Sequence, residues 1–278
     1  MACATACGYE SAPAESLGSA LLCEDAEAQS PRDVTDGVVG ERDERFPPIM
    51  DFSKMTHVNT HFHLGAEHHS SGEYDIMGAD VYEGDAAVPG WFCPAIADEA
   101  MLEPYTFEHC LHTEVGMTYE LHWVYSTGGG YPGYKVAGTT GGADLPEGTE
   151  IVDGLGGALA RTVNPYIGVQ AGIYQIVNGA DAEAYDISDF MTHAMDYASG
   201  NVVAYQGSTT GTSYDNTVCS AMQVSWHVDK HCHMISAASF DKMCEDMHSI
   251  GMEHDLEPHN SRTLVSPAFI ATSTHALS

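Results

Sequence analysis

The chain reads as a mixed α+β protein, predominantly β: a large twisted central sheet with a few short peripheral helices. Three observations lead there. Short stretches alternate apolar and polar residues with period two, one longer run is apolar and β-branched, and only two stretches carry clear helix signals. Taken in order, residues 1–22 are small and polar and read as an irregular N-terminal extension. His57–Leu64 alternates as a strand, and Met117–Tyr125 alternates as its neighbour. The stretch 66–116 between them is too long for a hairpin turn. It must hold loops, and it has room for a short helix near Asp98–Leu102 and for an insertion. Ile167–Val177 reads as a buried central strand. Ser188–Tyr197 reads as a helix, with Ser188 as its N-cap and Gly200 near its end. Met222–Val228 is a strand, and Ser239–Ile250 a second helix stopped by Gly251. Gly128-Gly129-Gly130 and Gly141-Gly142 flank no shift in composition, so they read as loops and residues 1–278 as a single domain.

Composition removes several function classes. Only 9 residues are Lys or Arg against 40 Asp or Glu, a formal charge of −31. Such a surface repels nucleic acid and anionic membranes. It suits a protein kept soluble in salty surroundings, where charges are screened within about 8–10 Å. It equally suits plain solubility with no partner implied. No apolar run approaches the roughly 20 residues of a membrane span. The N-terminus has neither a basic region nor a long apolar stretch, so no signal peptide is read. Eight cysteines point to an oxidising compartment: secreted, periplasmic or an organelle lumen. Oligomeric state is not legible.

Chemistry concentrates in two of the strands. His61 and His63 project from one face of the first, with Phe62 and Leu64 on the other. His122 shares its face with Glu120 and Val124, opposite Leu121 and Trp123. Neighbouring strands lie about 5 Å apart, so three imidazoles converge if these two pair. Three neutral imidazoles with an open fourth position describe a catalytic zinc site. Glu120 and Asn59 each lie two residues before a histidine on the same face, placed to hold its other ring nitrogen. The rival pair His231-Cys232-His233 has no such partner strand and reads as a surface or loop feature.

With both segments in view, the sequence resembles the carbonic anhydrases. His61-Phe62-His63 followed by Glu120-Leu121-His122 matches the HxH and Glu-Leu-His of the α class. Cys23 with Gln29-Ser30-Pro31, Gly65-Ala66-Glu67-His68, Asp196-Tyr197 with Tyr205-Gln206-Gly207-Ser208-Thr209-Thr210, and Cys219 with Val224-Ser225-Trp226 follow in the family's order. The wording of the first motif and the long insertions are closer to the δ class of marine diatoms and its bacterial relatives, distant cousins of the α class.

The resemblance implies an α-carbonic-anhydrase-like sheet and the reversible hydration of CO2 to bicarbonate and a proton by zinc-bound hydroxide, with Zn2+ on His61, His63 and His122. Co2+ or Cd2+ can substitute in such a site. It implies that Thr210 (Thr209 if the register slips by one) accepts from the hydroxide and donates to Glu67, because a carboxylate can only accept. Read without the family, Glu67 is a turn residue. His68 is expected to bond inside the fold, toward Tyr205. Val124 and Trp226 are expected to wall the CO2 pocket, although Trp226 also reads as a plain core residue. Gln170 stands where the family has an apolar side chain, which leaves the pocket's shape open. Cys23 and Cys219 occupy the family's disulfide positions, worth about 4–5 kcal/mol in a loop that long. Cys3, Cys7, Cys93, Cys110, Cys232 and Cys244 stay unassigned. The α-class proton-shuttle histidine has no counterpart before His57; His57, on the ligand face, His69 and His112 are the candidates. Two other functions fit the same residues. One is a cupin-like oxygenase or isomerase with Glu67 as a ligand beside His61 and His63 and a later histidine as the fourth. The other is a non-catalytic metal-binding module.

Overall fold

The computed structural model describes residues 30–38, 52, 55–126, 167–180, 182, 200–208, 223–249, 255–262 and 264. Seven strands and one helix occur among them: β1 (Thr56–Leu64), β2 (Ile76–Met77), β3 (Trp91–Phe92), β4 (Thr118–Ser126), β5 (Ile167–Val177), β6 (Val202–Ser208), β7 (Gln223–Ser236) and α1 (Ala237–Ser249). Five strands form one sheet in the order β1-β4-β5-β7-β6, and β2 pairs with β3 apart from it. The sheet is mixed: β5 and β7 run parallel and every other neighbouring pair antiparallel. The expected helix 188–197 lies outside the described residues.

Both faces of the sheet are covered, which is why β4 and β5 are buried along their whole length. On one face Phe62, Leu121, Trp123 and Tyr174 pack against Phe240, Met243 and Met247 of α1. On the other, Val124, Val169, Ala171, Trp226 and Val228 form a second apolar layer. His61, His63, Glu120 and His122 belong to this second face. The register sets His61 opposite His122 and His63 opposite Glu120. Gln170 is paired with Trp123 and so shares the first face, turned away from the histidines. The residues that β5 turns toward them are Val169, Ala171 and Ile173.

Just past β1, two glycines let the chain fold back under the histidines. Gly65 has φ +69°, and a Cβ at Gly90 would stand 2.1 Å from the carbonyl oxygen of Ala66. Ala66 and Trp91 exchange backbone hydrogen bonds at 2.7 Å in each direction. This crossing places Glu67 and His68 beneath the sheet. The long 66–116 connection also contains a 3₁₀ turn at Glu99–Met101, where Asp98 accepts from Ala100 N.

Two expectations are corrected by strand irregularities. The pairing of β1 with β4 shifts by one residue between His57 and Asn59, a bulge at Val58. A one-residue slip moves a side chain to the other face, so His57 does not share the face of His61. It is fully buried on the α1 side, its Nε2 hydrogen-bonded to Thr60 Oγ1 at 2.8 Å and its ring 5.0 Å from Tyr125. That excludes it as a proton shuttle. Likewise β7 does not end at Val228. It runs on through His231-Cys232-His233 to Ser236, with a register shift against β5 where its polar residues interrupt the alternation. The histidine pair is therefore on a strand, not a loop: His231 faces Glu73 at 3.0 Å, and His233 faces Asp229 at 2.9 Å.

The burial of His57 has a pH signature. Loss of solvation lowers its pKa from 6.5 to about 3. Between those values the unfolded chain binds more protons than the folded one. The stability His57 contributes is complete above pH 6.5 and is lost as pH falls. His57→Gln is expected to flatten the fall in unfolding free energy between pH 6.5 and 4, by up to the slope of one proton. Urea unfolding of the metal-free protein reads this directly; a slope equal to wild type refutes it.

Two disulfides occur among the described residues, Cys93–Cys232 and Cys110–Cys244, 139 and 134 residues apart in sequence. Cys23 and Cys219 lie outside the described residues. The second bridge fastens the loop before β4 to α1, where Asp241 already accepts from the backbone N–H groups of Glu108, His109 and Cys110, each at 2.9 Å. Cys110→Ala/Cys244→Ala is expected to cost about 2–5 kcal/mol of unfolding free energy in urea titrations.

Candidate metal centre

Antiparallel pairing with His61 directly opposite His122 brings three imidazoles together. One nitrogen from each of His61, His63 and His122 lies within 4.8 Å of the others, and the group could hold a metal ion. Ring centroids are 4.7–5.2 Å apart. Each ring is held by its remaining nitrogen. His61 Nδ1 donates to Asn59 Oδ1 at 2.5 Å, His63 Nδ1 to the carbonyl oxygen of Asn260 at 3.0 Å, and His122 Nε2 to Glu120 Oε1 at 2.9 Å.

Those three acceptors fix the tautomers. A neutral imidazole carries one proton, and each proton is committed outward. His61 Nε2, His63 Nε2 and His122 Nδ1 are left with lone pairs that face one another. His61 Nε2 and His122 Nδ1 are 3.2 Å apart with no proton to share, and His63 Nε2 is buried without a hydrogen-bond partner among the described residues. Tetrahedral zinc with bonds of about 2.0–2.1 Å separates its donor atoms by about 3.3–3.4 Å. The donor set therefore fits a divalent cation of that size. Burial, reinforced by neighbouring histidines, holds His61 well below the usual histidine range. Burial likewise lowers His63 to about 4, against an opposing pull from Glu67. Both are neutral, as ligands must be, at physiological pH.

Glu120 anchors the layer beneath. Its Oε1 accepts from His122 and from His68 Nδ1 at 2.7 Å; its Oε2 accepts from the backbone N–H of Glu67 at 2.5 Å and of His68 at 3.2 Å. Burial pushes its carboxyl up, but His68 and His122 more than reverse this and hold it well below the usual carboxylate range. His68 Nε2 lies 2.7 Å from the Tyr205 hydroxyl, which is itself hydrogen-bonded to Ser30 Oγ at 3.0 Å.

Glu67 is buried beside the cluster and outside it. Its Oε1 accepts from Arg262 N at 2.8 Å, while Oε2 is 3.7 Å from His63 Nε2 and has no hydrogen-bond partner among the described residues. Trp226 lies edge-on to His122 with centroids 5.1 Å apart, and Val124 is buried in the same apolar layer. Thr209 and Thr210 fall just beyond β6, outside the described residues. His69 pairs with Asp33 at 2.9 Å and meets Trp91 edge-on; His112 is exposed, 3.8 Å from Glu257.

Sequence reading missed the stretch 255–262. It lies along the free edge of β1, where His259 N donates to Phe62 O at 2.8 Å and Leu64 N to His259 O at 3.2 Å. It contributes the Asn260 carbonyl, the Arg262 amide and His259, whose ring stacks on His61 at 5.0 Å. The pattern carries no motif, because two of these contacts are made by backbone atoms that any residue supplies.

A family model described as "Delta carbonic anhydrase" matches residues 52–239. Among solved structures, a fungal alpha carbonic anhydrase from Aspergillus oryzae is similar over 88% of this chain and 87% of its own, at 11% identity and a TM-score of 0.33. No curated protein matches the chain. The matched residues take in every strand described here and all three clustered histidines, and end before 255–262. With two thirds of its length matched, the chain belongs to the delta carbonic anhydrase family, lyases that hydrate carbon dioxide reversibly.

Proposed function

We propose that the protein hydrates CO2 at a zinc ion held by His61 Nε2, His63 Nε2 and His122 Nδ1. One observation carries this: three ring lone pairs face a common point while the other nitrogen of each ring donates to a fixed acceptor. A divalent ion held by three imidazoles lowers the pKa of bound water to about 7, carbonic anhydrase being the standard instance of that effect, so the value is general and not a result of this geometry. Co2+ or Cd2+ suit the same donors.

The chain's own residues do the rest. Asn59, Glu120 and the Asn260 carbonyl keep the donor nitrogens aimed. Glu67 Oε2, a buried acceptor without a donor among the described residues, is suited to accept a hydrogen bond from the Thr210 hydroxyl, whose oxygen then accepts from the reacting oxygen and orients it. Val124 and Trp226 supply an apolar wall for CO2. Cys23 and Cys219 form a further disulfide. The protein works as a single catalytic domain in an oxidising compartment, secreted, periplasmic or in an organelle lumen, and the two described disulfides accord with that.

Metal analysis paired with stopped-flow CO2 hydration tests the reading. The purified protein is expected to carry a single equivalent of divalent metal and to lose activity on dialysis against a strong chelator. Zinc or cobalt should restore it. Full hydration activity in the metal-free protein overturns it.

A further inference from the structure

The Asn59 amide can meet His61 in two orientations, and only one leaves a ligand. With Oδ1 toward the ring, Nδ1 carries the proton and Nε2 keeps its lone pair. With Nδ2 toward the ring, Nδ1 must accept, and the proton moves to Nε2, the atom that faces His122. Asn59 is 1% exposed, so bulk water does not make the choice.

Asp255 makes it. Its side chain is buried, and its Oδ2 accepts from Asn59 Nδ2 at 2.7 Å. A carboxylate has no proton to give, so it draws the amide nitrogen to itself and turns the amide oxygen to His61. Its other oxygen, Oδ1, is 3.1 Å from His259 Nε2, which keeps the carboxylate from rotating. The backbone of His259 is in turn pinned to β1 on both sides. We propose that Asp255 is a positioning residue of the metal centre, setting the orientation of Asn59 and, through it, the tautomer of His61. The proposal rests on the zinc reading given above.

Zinc affinity of the full chain, measured by competition with a chromophoric chelator, tests it. Asp255→Ala and Asn59→Ala are each expected to weaken binding about 10–100-fold. The double variant should be no weaker than Asn59→Ala alone, because both changes remove one support. Swapping the pair, Asn59→Asp with Asp255→Asn, keeps an acceptor facing His61 and should restore affinity to within about 10-fold of wild type. Unchanged affinity in Asp255→Ala, or losses that multiply in the double variant, overturns the proposal and leaves the zinc site standing. No zinc binding by wild type overturns both. Should Asp255→Ala fail to fold, the swapped pair decides: affinity about 10-fold or more below wild type refutes the positioning role.

Discussion

His122→Ala is expected to lose bound zinc and to reduce CO2 hydration by more than about 100-fold, since removing even a group that only orients a ligand costs about 10–100-fold. The reason is numerical as much as geometric. Three lone pairs converge, and β4 supplies one of them while β1 supplies two. With two nitrogens left, the ion would have to complete its shell from Glu67 or from solvent. Glu67 is committed through Oε1 to Arg262 N, and only its Oε2 faces His63. The substitution also separates the two metal chemistries that the HxH pair permits. A cupin-like site of His61, His63 and Glu67, completed by a later histidine other than His122, would keep its metal in the variant. Zinc stoichiometry after gel filtration therefore reads the ligand set independently of rate, and a variant that retains a full equivalent removes His122 from it. The fold is expected to survive, because β4 keeps its pairing on both sides and its apolar face against α1.

The reach of sequence reasoning follows the physical range of each contact. Ile167–Val177 is found as a strand with the expected ends, because β-branched residues buried on both faces leave a continuous apolar run. The alternation in β1 and β4 places His61, His63 and His122 on one face, and only the register had to be supplied by folding. Alternation failed at His57, since a bulge leaves no mark in a period-two pattern until the partner strand is known. It failed again in β7, where Asp229, Lys230 and His231 break the pattern although the strand continues. Glu120 and Asn59 were legible because they act on histidines two residues away. Asp255, Asn260 and Arg262 were not, because they act across roughly two hundred residues of chain, two of them through the backbone. The Cys93–Cys232 and Cys110–Cys244 pairings were equally out of reach, since spacing alone does not give connectivity.

Glu120→Gln is the second large effect, and it follows from counting donors. Four N–H groups converge on this carboxylate, two ring donors on Oε1 and two backbone donors on Oε2. A carboxamide has one oxygen, so two of the four must meet an NH2 instead. If that NH2 faces the backbone, the amides of Glu67 and His68 are buried without acceptors, at about 1–3 kcal/mol each, and the turn that carries Glu67 loosens. If it faces the rings, His122 Nε2 must become an acceptor, and its proton moves to Nδ1, the nitrogen aimed at His61. The ligand is then blocked by its own proton. The two outcomes leave different traces. The first lowers the urea stability of the metal-free protein, while the second lowers zinc affinity by about 10–100-fold at unchanged stability. A Glu120→Gln variant that matches wild type in both measurements would mean that the four donors do not need the charge they surround.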